Sequence, residues 1–323
     1  MDERHDVVVV GGGAAGLGAA LTLSRARRSV LVVDAGDPRN APAGHVHNYL
    51  GREGTPPGEL LAAGRAELAG YGGEVVVDTA VAAERVDGGF RVSLAGGRSV
   101  RARRLLVATG LVDELPAVPG LAPRWGRDVL HCPYCHGYEV RDRAIGVLAT
   151  GPMAVHQTLL FRQLSDDVTL FLHTVPDLTA DEREQLAALG VAVVKGEVAA
   201  VEVADDRLTG LRLRSGEVVP REAVVVAPRF VARAEVLSFL GVDAVEQEMA
   251  GVVVGTAVPA DPTGATAVPG VWVAGNVADM RAQVMSSAAA GLSAGAAINA
   301  DLVAEDALRA VLAHRERTAV RAG

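Results

Sequence analysis

The chain is 323 residues long, half of them hydrophobic and only 3% aromatic, with a formal net charge of −8. At roughly 150 residues per domain that length makes two domains, each able to bury a full core. The acidic balance, with Lys195 as the only lysine, excludes the basic face of a nucleic-acid binder and the polybasic segment of a protein held on anionic membranes.

Residues 1–6 are charged and the apolar run after them is short, which fits neither a signal peptide nor a spanning helix and predicts a soluble, cytoplasmic protein. Asp6-Val7-Val8-Val9-Val10 reads as a buried strand. It leads into Gly11-Gly12-Gly13-Ala14-Ala15-Gly16 and an Ala/Leu-rich helix expected to end near Arg27-Arg28. Gly11 allows the tight turn, Gly13 lets the backbone approach a pyrophosphate, and Gly16 lets helix and strand pack closely. The opening amides of the helix, those of Ala14 and Ala15 among them, lie at its positive dipole end and suit phosphate. A second strand over residues 29–33 ends at Asp34, where an acidic side chain binds ribose hydroxyls. A lone glycine fingerprint is weak evidence, but here strand, helix and acidic residue are all in place. The segment binds a dinucleotide.

Leu105-Leu106-Val107-Ala108-Thr109-Gly110 is another strand running into a small-residue turn that ends in Thr109 and Gly110. Beyond it, His131-Cys132-Pro133-Tyr134-Cys135-His136 holds both cysteines of the chain. A cross-link this short adds little stability, because the entropic gain grows with loop length. A structural zinc site would need a second ligand pair, and none follows. The spacing therefore points to dithiol/disulfide chemistry through Cys132 and Cys135, which needs an electron partner. His136 beside the second cysteine can take a thiol proton and return it. His131 is the weaker candidate for that role, and Tyr134 has no need to react.

Strand–helix alternation continues through residues 144–149, 153–164 and 168–172, which argues for an α/β doubly wound sheet. The turn Ala149-Thr150-Gly151-Pro152-Met153-Ala154 has alanine where a first glycine belongs, and Pro152, placed where the helix begins, has no amide for a phosphate. Val271-Trp272-Val273-Ala274-Gly275-Asn276 is one more strand and small-residue turn, and Arg281-Ala282-Gln283-Val284 opens a long C-terminal helix. Residues 304–323 are expected to form a short helix and a charged tail without chemistry.

Taken together, the glycine fingerprint, the Ala-Thr-Gly turn, the C-x-x-C and the Gly-Asn turn resemble, in kind and order, the signatures of the low-molecular-weight thioredoxin reductase family. The resemblance covers the chain from end to end. It implies two Rossmann-like domains, the second inserted in the first: an FAD-binding domain from residues 1–114 and 232–323, and a pyridine-nucleotide-type domain over 115–231 carrying the redox pair. It also implies FAD as cofactor and a homodimer. Arg39 and Asn40 match the loop along the adenosine and pyrophosphate of FAD. Asn48 matches an asparagine on the flavin side, and His45 falls where a further FAD contact is made. His47 is expected to be solvated or packed. The start of the C-terminal helix, Gln283 and Val284, would face the pyrimidine edge of the flavin. Cys135 would be the sulfur nearest the flavin and Cys132 the exposed one that meets substrate.

The chain departs from the reductases at four places. After the strand over 168–172 come His173-Thr174-Val175-Pro176, where the reductases have two arginines for the 2′-phosphate of NADPH. Ala149 stands where the turn over 149–154 should have its first glycine, His136 replaces the usual aspartate, and Asn276 replaces aspartate in the Gly-Asp turn. These departures argue against NADPH. They resemble instead a branch of the family, the dithiol oxidases that close the disulfides of gliotoxin, holomycin and romidepsin, with the holomycin type the best match. That resemblance implies an FAD-dependent oxidase that forms a disulfide in a small-molecule dithiol and gives H2O2 from O2. A reductase fed by NADPH or a protein donor, and a flavoprotein redox sensor, remain as alternatives.

Overall fold

The computed structural model describes residues 3–322; Met1, Asp2 and Gly323 lie outside the described residues. The chain begins with β1 (Glu3–Val10), α1 (Ala14–Arg25), β2 (Val30–Asp34), α2 (Pro57–Gly70) and β3 (Glu74–Val77). A meander of β4 (Ala80–Val86), β5 (Gly89–Leu94) and β6 (Ser99–Val107) follows, then β7 (Leu111–Glu114). The middle of the chain gives β8 (Val129–Leu130), α3 (Pro133–His136), β9 (Ile145–Leu148), α4 (Ala154–Arg162), β10 (Val168–Phe171), α5 (Ala180–Ala188) and β11 (Ala192–Val194). It continues through β12 (Val198–Ala204), β13 (Arg207–Leu213), β14 (Val218–Pro220), β15 (Ala223–Val226) and β16 (Arg229–Ala232). The last elements are α6 (Glu235–Ser238), β17 (Val245–Met249), β18 (Val252–Ala257), β19 (Val271–Val273) and α7 (Val284–Ala322).

Two Rossmann-like sheets result. In one the order is β3-β2-β1-β6-β5-β4, and β19 joins the C-terminal half of β6 on the edge whose other half holds β5. Strands β1, β2, β3, β6 and β19 run parallel. Successive valines of β1 serve opposite faces: Val8 and Val10 enter one core with Phe90 and Val273, while Val7 and Val9 enter another with Leu23 and Ile298. A parallel strand buried on both faces has to be apolar throughout, which is why the valine run is unbroken. The other sheet, β11-β10-β9-β15-β8, is wholly parallel and has its own two cores. The chain leaves the first sheet through β7 and returns through β16, and these two strands pair antiparallel.

Three local expectations need correction. Helix α1 stops at Arg25, before Arg27-Arg28, because the chain turns left-handed at Arg27 (φ 63°) and the Arg28 N–H closes onto the Leu23 carbonyl. Residues 304–322 are not a short helix and tail but continue α7, which runs 39 residues. Its Glu305 and Asp306 are gripped by Arg103, Asp306 also by Arg28, and Asp301 and Glu305 by Arg104. Pro152 does not begin a helix: residues 151–153 form a turn, and α4 starts at Ala154, whose N–H reaches the Gly151 carbonyl.

Candidate active site

The glycine turn after β1 is shaped by close approach. Gly11 has φ 104°, and a Cβ there would collide with the Ala108 carbonyl; one on Gly16 would collide with the carbonyl of Gly11. Gly13 is different, since a Cβ on it would meet nothing within 4 Å and would project into open space. Asp34, at the end of β2, takes the Gly12 N–H on Oδ1 at 3.1 Å. The Thr109 hydroxyl donates to the Arg233 carbonyl and the Arg233 N–H to that of Gly110, stitching this turn to the end of β16.

One cavity of about 1220 Å³ runs from these glycines to the cysteines. All the sequence-predicted site residues line it except Gly16, which packs behind the turn, and Asn48. The backbone open at Gly13, the amides opening α1 and the carboxylate at the end of β2 fit the pyrophosphate and ribose of a dinucleotide. Asn40, His45, Gln283 and Val284 wall the same cavity.

Arg39 is turned to a partner that the sequence did not suggest. Its guanidinium grips buried Asp113 in a fork of 2.8 and 2.7 Å, lies 5.4 Å over the Phe230 ring, and gives a further bond to Asn276. Asn276 in turn donates to the carbonyls of Asp279 (3.0 Å) and Ala282 (2.8 Å), which hold the loop before α7.

The redox segment follows β8. Cys132 and Cys135 are joined in a disulfide across one turn of α3, with Cα atoms 5.3 Å apart. Pro133 fits the first helical position, where no amide is needed, and Cys132 is the N-cap, its sulfur accepting the Cys135 N–H at 3.2 Å. Cys132 is half-buried and Cys135 exposed, and both face the cavity. His131 directs Nδ1 at the Val226 carbonyl (3.2 Å) and packs edge-on to Phe230, while the Gln157 amide donates to the His131 carbonyl. In the tautomer that satisfies Val226, Nε2 is the basic nitrogen. Burial pushes the His131 pKa below the ordinary value, with the Val226 carbonyl acting against it, and nearby Arg39 lowers it further against Asp113. Burial also lowers the pKa of His136, opposed by Glu139 and assisted by His47 and His45. Both imidazoles are therefore neutral at neutral pH and able to accept a proton.

Residues 45–53 form a loop facing this segment. His47 is not simply solvated: Nδ1 lies 2.6 Å from Glu53 and Nε2 lies 3.4 Å from Glu139. Asn48, in the left-handed region at φ 58°, sends its side-chain amide to the Tyr134 carbonyl at 2.5 Å. Glu139 carried a signal in the sequence, three residues after His136. Asp113, Gln157 and Phe230 carried none, since their roles depend on elements remote from them in the chain, and Glu53 carried none because nothing marks one surface carboxylate of a loop among many.

A dinucleotide cradle and a redox-capable disulfide opening into one cavity define a nucleotide-dependent disulfide oxidoreductase. The chain belongs to the family described as pyridine nucleotide-disulphide oxidoreductase, whose model matches residues 5–295. It is thus an FAD-binding oxidoreductase of thioredoxin reductase type. It is similar to HlmI, with 49% identity, a TM-score of 0.87 and 95% of each chain covered. An oxidoreductase from Agrobacterium tumefaciens is 35% identical, with a TM-score of 0.86, covering 93% of this chain and 99% of that one. The thioredoxin reductase tcpT of Claviceps purpurea (strain 20.1) is 30% identical over 314 residues, which are 93% of this chain and 95% of that protein. No helix among the described residues is long and apolar enough to cross a membrane.

Proposed function

We propose that the protein is an FAD-dependent dithiol oxidase that closes a disulfide in a small-molecule dithiol of the holomycin type, with O2 as the final acceptor. The observation that carries this reading is the pairing of an intact cradle with a second nucleotide turn unsuited to phosphate. Around Pro152 the chain makes an irregular turn, and the Thr150 hydroxyl is spent on the Ala227 carbonyl. At the end of β10, His173 accepts the Val198 N–H on Nδ1 instead of offering fixed positive charge. Asp177 beyond it is held by Lys195 and Arg183, which keep its pKa down at about 2. The inserted unit over residues 115–231 would then be a scaffold for the redox pair. The cytoplasm, where dithiols persist, and a homodimer complete the proposal.

Chemistry proceeds by thiol–disulfide exchange. A substrate thiol gives its proton to His136 and attacks one sulfur of the Cys132–Cys135 disulfide, forming a mixed disulfide and expelling the other as thiolate. The second substrate thiolate displaces the remaining cysteine, which leaves a substrate disulfide and a reduced pair. The N–H of Cys135 stabilises a thiolate on Cys132. When bound, FAD would be held by the glycine turn, Asp34 and the start of α7 and would supply the two-electron acceptor for the reduced cysteine pair, with O2 as the final acceptor giving H2O2. The balance is one dithiol and one O2 to one disulfide and one H2O2.

The family and the relative named thioredoxin reductase favour a second reading, reduction of a disulfide by NADPH. Anaerobic mixing separates the two. The oxidase bleaches its flavin with a small dithiol and not with micromolar NADPH; rapid stoichiometric bleaching by NADPH would replace this reading with the reductase.

A further inference from the structure

His47 and Glu139 are 92 positions apart in sequence, yet the imidazole links a loop beside the nucleotide cradle to the segment that carries the cysteines. Its other nitrogen is braced by Glu53, which also takes the Asn48 N–H at 2.9 Å. The Asn48 amide adds a second tie to the same segment through Tyr134, one of the two residues between the cysteines. Two independent contacts from one loop therefore grip residues 134 and 139, on either side of His136. The second of these groups, Glu139, is also the carboxylate that bears electrostatically on His136.

We propose that His47 and Glu139 are positioning residues for the redox site: their contact fastens the cysteine segment to the loop over residues 45–53 and sets the place of His136 against Cys135. The inference rests on the reading of Cys132–Cys135 as the redox pair. Partly exposed ion pairs contribute little to stability, and His47 and Glu139 are 21% and 33% exposed. Their effect falls on geometry instead, where small displacements of reacting groups cost rate more than folding free energy.

A double-mutant cycle on the holoenzyme tests this. His47→Ala and Glu139→Gln each lower kcat for dithiol oxidation by about 5–10-fold, in the range of coupling between contacting residues, with KM and Tm nearly unchanged. The double variant loses no more than Glu139→Gln alone. In protein reduced anaerobically with a phosphine, both single variants react faster with iodoacetamide at the cysteines, as does Asn48→Ala, which cuts the other tie. Losses that multiply in the double variant overturn the proposal, as does a single variant with wild-type kcat and alkylation rate. If Glu139→Gln does not fold, the His47→Ala and Asn48→Ala variants decide by the same alkylation comparison. A wild type inert toward dithiols would refute the oxidase reading, while the alkylation rates, which need no substrate, would still decide whether the segment is fastened.

Discussion

Arg39 and Asn276, 237 positions apart, meet through a single hydrogen bond in which Nη1 donates to Oδ1 at 3.2 Å. Because arginine only donates and the carbonyls of Asp279 and Ala282 only accept, the orientation of the Asn276 amide is fixed by its partners. Aspartate could satisfy the arginine but not the two carbonyls. Asparagine is thus matched to this loop, and the loop delivers Gln283 and Val284 to the cavity.

Asn276→Asp sets a carboxylate against two carbonyl oxygens. Two bonds are lost, at about 0.5–1.5 kcal/mol each, and the stronger bond to Arg39 offsets part of that. Chemical denaturation of the FAD-free variant should show a lower midpoint with an unchanged slope. Equal midpoints would mean that the Asn276 amide does not hold the loop.

The parts of this site legible in sequence were those written in a few adjacent residues. Val7 to Val10, the glycines and Asp34 declare a buried parallel strand and a phosphate turn because each residue type answers a local steric or charge demand. The cysteine pair declares itself by spacing. Arg39 stands out in the sequence and its partner Asp113 does not, since nothing local marks one carboxylate among many. The length of α7 is hidden from the sequence for the same reason: its acidic residues look like a solvated face until Arg28, Arg103 and Arg104 arrive from other elements. His47 looks like an ordinary histidine because Glu139 reaches it only through the fold, and the bond to Glu53 depends on the turn of the loop between them.

Gly13→Val separates folding from cofactor retention. A side chain at Gly13 meets no protein atom within 4 Å, so the variant should fold, yet it blocks the backbone surface that a pyrophosphate must approach. The expected outcome is a colourless protein whose thermal unfolding in the absence of FAD matches the wild type stripped of FAD. Full FAD occupancy measured by absorbance would sink the assignment of this turn. A Gly16→Ala variant, by contrast, strikes the Gly11 carbonyl and should unfold at lower temperature with or without FAD.

His136→Ala tests the proton path. Burial holds the His136 pKa below its ordinary value, so the neutral, proton-accepting form persists to pH values under about 6.5. Wild-type kcat/KM should therefore fall only on the acid side of that point, as His136 becomes protonated and can no longer accept a proton. Without the imidazole the substrate thiol must ionise unaided, and its ordinary pKa of about 8.5 moves the rising limb to alkaline pH. Near neutrality the loss should be on the order of 10²–10⁴, and it should shrink as pH rises because the thiolate forms without help. Flavin absorbance and melting temperature should stay unchanged, whereas Cys132→Ser and Cys135→Ser abolish turnover with FAD still bound. If His136→Ala matches the wild-type rate from about pH 6 to 9, a span covering both ionisations, the base is elsewhere. His131, whose Nδ1 lies 3.2 Å from both the Val226 carbonyl and the Gln157 amide nitrogen, is then the next residue to replace.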